Sequence, residues 1–145
     1  MNHNELMAAV LLVITMLLWG TTPIIEKLGL REVDPLTGVL IRSLVITIIL
    51  LVIFIARGRM HELVNVGLRN FSLFAASGIM AGLVAMWTYF YVLKGGATSK
   101  IVPIAAAYPL VTALLGIFIL KEEVTVQRLV GIVLTIVGIV LVKQS

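Results

Sequence analysis

Cysteine is missing from this chain altogether. Its absence excludes a disulfide framework, thiolate catalysis and cysteine-ligated zinc or iron–sulfur sites. Histidine occurs twice, at His3 in a polar tail and His61 in a polar connection. The two lie too far apart for a metal motif, so neither a metal nor a cofactor is expected. Charge is scarce: Asp, Glu, Lys and Arg make up 12% of the 145 residues, against about 25% in an ordinary globular domain. The net charge of +4 is not gathered into a patch. Its basic residues are scattered over connections between apolar segments, where lysine and arginine set membrane orientation. No nucleic-acid partner is therefore expected. No serine or threonine has an intramembrane His or Lys–Asp partner, and no glycine-rich phosphate loop is present. Nothing in the chain reads as an enzyme.

What the chain has in abundance is apolar length. Hydrophobic residues make up 61%, and the mean hydropathy is +1.16. About 20 apolar residues in helical form cross a ~30 Å hydrocarbon core. Five segments reach or approach that length, at roughly 6–28, 36–56, 71–93, 101–120 and 124–142. They are continuous apolar runs, unlike the alternating ten-residue segments of a β-barrel. The expected fold is an all-α integral membrane protein, a single five-helix transmembrane domain over 1–145. The opening MNHNE has no lysine or arginine, and the run after it is longer than a signal-peptide core, so the first span is expected to be retained. The connections GLREVDP, RGRMHELVNVGLRN, KGGATSK and KEE are short and polar. In the second of these, Met60, Leu63, Val64 and Leu68 follow helical spacing and predict a short amphipathic helix on the membrane surface.

An odd number of spans puts the two termini on opposite sides of the bilayer. One side then carries Arg57, Arg59, Arg69, Lys121 and Arg128, and the other Lys27, Arg31, Lys94, Lys100 and Lys143. Five against five leaves almost none of the asymmetry that orients a membrane protein. Two readings stay open: a single orientation weakly biased by the Arg57/Arg59/Arg69 cluster, and dual topology, with copies inserted both ways up.

The polar residues inside the spans are the candidate site. The stretch WGTTPIIEK closes the first span, and Thr15, Trp19, Thr22, Pro23 and Glu26 share one face at helical spacing. Pro23 has no amide hydrogen for the carbonyl of Trp19, so a kink is predicted there. Freed backbone at membrane depth is tolerated where it is buried in protein or lines a watery cavity. This face reads either as a cavity wall or as a helix end whose Glu26 and Lys27 reach the headgroups. Arg42 lies ~9 Å into the second span at 1.5 Å per residue. Ionisable residues at such depth pair, face the bundle interior or mark a pathway. Glu26 is the one carboxylate placed within a span, so Glu26 and Arg42 are candidates for an intramembrane charge pair or an ion-coupling site. The alternative is that Arg42 reaches up to the headgroups on its own. Gly78 and Gly82, then Gly131, Thr135 and Gly138, form small-residue stripes suited to helix packing or dimerisation. Trp87, Tyr89, Phe90 and Tyr91 form either an interfacial belt or a pocket mouth. Pro103 and Pro109, with Tyr108 between, concentrate helix breakers in the fourth span, as transporters do near binding sites.

The segments LLWGTTPIIEKLGL, AAAYPLVTALLGIFILKEE and QRLVGIVLTIVGIVLV, with an early arginine in the second span, resemble the EamA domain of the drug/metabolite transporter superfamily. The likeness covers about Met7 to Val142. It implies one half of an inverted-repeat bundle, since typical members carry two such domains in opposite orientation and ten helices. It also implies a cavity lined by the first, third and fourth helices. Substrate contacts would then come from Trp19, Thr22, Pro23, Trp87, Tyr91, Pro103, Tyr108 and Pro109, with the Glu122 turn a structural marker. The resulting expectation is a transporter of small metabolites or drug-like solutes, an exporter in the cell (inner) membrane working by alternating access. Its partners would be the lipid bilayer, a small-molecule substrate and a second copy of itself in an antiparallel homodimer. The alternative is a non-transport accessory or assembly subunit that pairs with another membrane protein. The chain departs from the small multidrug exporters in having no carboxylate in the middle of its first span.

Overall fold

A computed structural model describes residues 2–123 and 125–144. Among the described residues every regular element is helical, and five helical stretches are long and apolar enough to cross a membrane. The spans are His3–Gly29, Pro35–Ala56, Leu68–Gly95, Thr98–Leu120 and Val126–Gln144. All five agree with the sequence reading to within three residues at either end. Val124, with which the fifth was expected to begin, lies outside the described residues. Most large apolar side chains on these spans face outward, which suits acyl chains and not water. The protein is an all-α integral membrane protein.

The chain divides into two compact units, one running to Gly95 and the other beginning at Gly96. In the first, α1 (His3–Gly29) opens on a reciprocal cap in which the Asn2 amide donates to the Glu5 carboxylate at 2.9 Å. The predicted kink does not interrupt α1, which stays helical through Pro23, its one buried residue. Helix α2 (Pro35–Ala56) starts at Asp34, whose carboxylate accepts from the amides of Leu36 and Thr37 at 2.9 and 3.3 Å. Pro35 occupies the first turn, where a missing amide hydrogen does no harm. Of the helix predicted between 57 and 70, only the short α3 (Met60–Val64) forms, and Leu68 already begins α4.

The third span keeps its expected bounds but is not one continuous α-helix. It comprises α4 (Leu68–Ser77), an eight-residue π-helical stretch (Gly78–Ala85) and α5 (Met86–Gly95). Helix α5 packs chiefly against α2 and touches α1. The buried apolar residues, Leu30, Val39, Phe90 and Leu93, gather where these elements meet. Gly38 makes room for this packing, because a Cβ there would lie 3.3 Å from the Phe90 ring.

The second unit holds α6 (Thr98–Ala105), α7 (Tyr108–Leu120) and α8 (Val126–Gln144), with α6 packed on α8. The expected fourth helix is thus two helices joined at Ala106–Ala107. Pro109 has no amide hydrogen to give to the Ala105 carbonyl, and the Ala107 amide turns tightly back to Ile104 instead, at 3.1 Å. Helix α7 ends in a left-handed residue, Lys121, with φ +55°. The Lys121 amide and the Glu122 amide both reach back to the Gly116 carbonyl, the latter at 3.2 Å.

Candidate functional site

In the first unit an open pocket of about 400 Å³ lies beside α1, α2 and α5. Its walls are apolar, with Ile25, Leu30, Val33, Ile41 and Phe90, and its polar groups are Thr22, Glu26 and Arg42. Thr22 and Glu26 share a face of α1 at a spacing of four. Thr22 donates its hydroxyl to the Leu18 carbonyl at 2.7 Å, so its oxygen lone pairs are what it offers the pocket. Arg42 Nε stands 3.8 Å from Glu26 Oε1, close enough for an ion pair and too far for a hydrogen bond. The Glu26 side chain is 11% exposed and that of Arg42 41%. The carboxylate is therefore the covered partner, and the guanidinium faces the opening.

One end of this unit is tied by two lysines. Lys27 Nζ donates to the carbonyls of Leu93 and Lys94 at 2.6 and 2.9 Å, and Lys94 Nζ donates to the Val33 carbonyl at 2.9 Å. Lysine at a helix C-terminus satisfies carbonyls that have no helical partner. Lys27 does this for α5 across the fold. This arrangement replaces the expectation, under the helix-end reading, that Lys27 reaches the headgroups.

In the second unit a separate groove of about 570 Å³ follows α7. Tyr108, Pro109 and Thr112 line one stretch of it, and Gly116, Glu122 and Arg128 another. Glu122 folds over Gly116, where a Cβ would lie 3.3 Å from its carboxyl carbon. Arg128 Nη1 holds that carboxylate at 3.2 Å and the Glu123 carbonyl at 3.1 Å.

Of the sequence-derived candidates, Thr22, Glu26 and Arg42 therefore meet at one pocket, and Tyr108 and Pro109 line another. Trp19, Trp87 and Tyr91 line neither pocket and are exposed. Pro23 is buried and lines neither pocket, and Pro103 is half-buried within α6. Gly78, Gly82, Gly131 and Gly138 have open space where a Cβ would stand, so none is a close-approach point among the described residues. The sequence reading passed over Gly38 and left Phe90 between belt and mouth, although Phe90 forms both a pocket wall and the core. The signal lay in Gly38 on the second span, one turn before Arg42.

Five apolar helices, two of them joined by a half-open Glu26–Arg42 charge pair, define a helical integral membrane protein. The chain belongs to the EamA-like transporter family, whose pattern it matches over residues 6–144. It is 26% identical over 121 residues to a Sinorhizobium protein named an uncharacterized transporter in the cobO 3' region, covering 83% of this chain and 84% of that one. It is also 41% identical over 56 residues to an uncharacterized protein of Methanocaldococcus jannaschii, covering 39% of this chain. That second match spans 41% of the Methanocaldococcus protein. No solved structure matches the chain.

Proposed function

We propose that this membrane transporter moves small metabolites or drug-like solutes outward across the cell's inner membrane by alternating access, as an antiparallel pair of identical chains. Family membership supports the transport activity. The observation that carries the antiparallel reading is the tally of basic residues. Five spans are present, and ten of the eleven Lys and Arg residues lie in connections or near span ends, five toward each side, with Arg42 the one set deep within a span. An uneven tally would deplete one orientation. In each copy the pocket of Thr22, Glu26 and Arg42 offers apolar walls and a charge pair open on its arginine side.

The test is to add two or three lysines to one side of the chain. Each biased variant alone should lose transport in proteoliposomes, and co-expression of two oppositely biased variants should restore it. Full activity from one biased variant overturns the antiparallel pair. Co-expressed variants that stay inactive while folded favour the accessory-subunit reading.

A further inference from the structure

Residues 57–70, from the end of α2 into the first turn of α4, hold three of the chain's arginines, Arg57, Arg59 and Arg69, against one carboxylate, Glu62. These arginines are not equivalent. Arg59 is engaged within the connection: its Nε and Nη2 donate to the two oxygens of Glu62 at 2.7 and 2.6 Å, and its guanidinium lies 5.5 Å from the centre of the Phe54 ring. Arg57 and Arg69 are exposed, and neither side chain has a hydrogen bond or ion pair among the described residues.

Between them sit the two most exposed large apolar side chains of the described residues, Val64 at 82% and Leu68 at 84%. Val64 lies outside all five spans, and Leu68 is the first residue of the third. Leu63 beside them is also exposed, and Met60 is one helical turn before Val64. Apolar side chains at the level of a membrane surface are covered when their helix lies in the interface with that face down. An arginine beside such a face is then at the depth of lipid phosphate, with a planar fork of donors that fits it.

We propose that residues 57–70 form an interfacial clamp for anionic phospholipid, with Val64 and Leu68 seated among the acyl chains and Arg57 and Arg69 holding headgroup phosphates. The Arg59–Glu62 pair keeps α3 wound between the two contacts and leaves the net positive charge of the clamp on its outer arginines. A chain whose basic residues divide evenly would then have one side with higher affinity for acidic lipid. The lipid charge of a leaflet would bias which way up a copy settles.

The cysteine-free chain permits a clean test. The full-length protein carrying Val64→Cys, labelled with an environment-sensitive fluorophore, is placed in vesicles of phosphatidylcholine, with and without phosphatidylglycerol. Both leaflets have the same composition, so either orientation meets the same lipid. The label should emit as if membrane-embedded, and brominated phosphatidylglycerol should quench it more strongly than brominated phosphatidylcholine. Removing each of Arg57 and Arg69, as Arg57→Gln and Arg69→Gln, should weaken that preference roughly fivefold, the factor expected for one basic residue at an anionic surface. The Arg57→Lys/Arg69→Lys variant should keep most of the preference. Water-like emission, or equal quenching by the two lipids in the otherwise unaltered protein, overturns the clamp. So does displacement by millimolar inorganic phosphate, which would mark a soluble-anion site instead.

Discussion

Arg42 and Glu26 show how a charge pair can be stable yet open. Exposed pairs contribute ~0.2–1 kcal/mol, whereas removing one partner of a fully buried pair costs about 3–5 kcal/mol. A 3.8 Å pair with one covered and one open partner falls between these limits. A thermal-stability double-mutant cycle with Glu26→Gln and Arg42→Gln should give a coupling of about 1 kcal/mol. A coupling near zero would mean that Arg42 reaches the headgroups without help from Glu26. At the surface, Glu62 behaves differently. Its hydrogen bonds and ion pair with Arg59 hold its carboxyl below the usual glutamate range. A depressed carboxyl stabilises the folded form above its unfolded pKa, and the contribution is lost as pH falls through the folded value. The ordering of α3 should therefore hold at neutral pH and loosen only in acid below the ordinary glutamate range. NMR titration of the Glu62 carboxyl should give a midpoint that rises toward normal in Arg59→Gln, and an unchanged midpoint would remove the pair.

At the scale of elements, the fourth span is the clearest case of sequence written into backbone. Pro109→Ala supplies an amide hydrogen for the Ala105 carbonyl and should join α6 to α7 through Ala106–Ala107. Slower hydrogen exchange at those two amides, with transport reduced at least severalfold, is the expected outcome. Unchanged exchange would place the break outside proline's control. The five spans were legible in the sequence because long apolar runs between short polar connections have no other stable home. The break in the proline-rich fourth span and the short α3 were legible for similar reasons, through Pro103/Pro109 and the spacing of Met60 and Val64. The π-helical turn in the third span was not, because Gly78–Ala85 is evenly apolar and hydropathy says nothing about which carbonyl an amide selects. Nor was the seating of Phe90 on Gly38, a contact between distant segments that only packing reveals. The Thr22–Glu26 face was readable from periodicity. Trp19 shares that face but lies beyond the pocket's reach.

For the whole molecule, the question is what covers the small-residue faces. Gly131 and Gly138 on α8 have open space where a side chain would begin. Glycine is ~0.8–1 kcal/mol less favourable than alanine in a helix interior and leucine ranks just below alanine, so Gly131→Leu and Gly138→Leu should leave each copy folded. If two copies close on α8 through these glycines, the same substitutions should weaken self-association in liposomes by tenfold or more. Energy transfer between labelled copies measures it, and an unchanged signal would move the contact to another face.

The crossed lysines of the first unit have a consequence for how the chain tolerates change. The acceptors described at Val33, Leu93 and Lys94 are main-chain oxygens, which any residue type supplies. Val33 and Leu93 can thus vary in side chain without loosening the tie, subject only to the packing around them. The two ammonium groups have no such latitude. Drift at this end of the fold is therefore one-sided, with permissive positions held in place by two exacting ones.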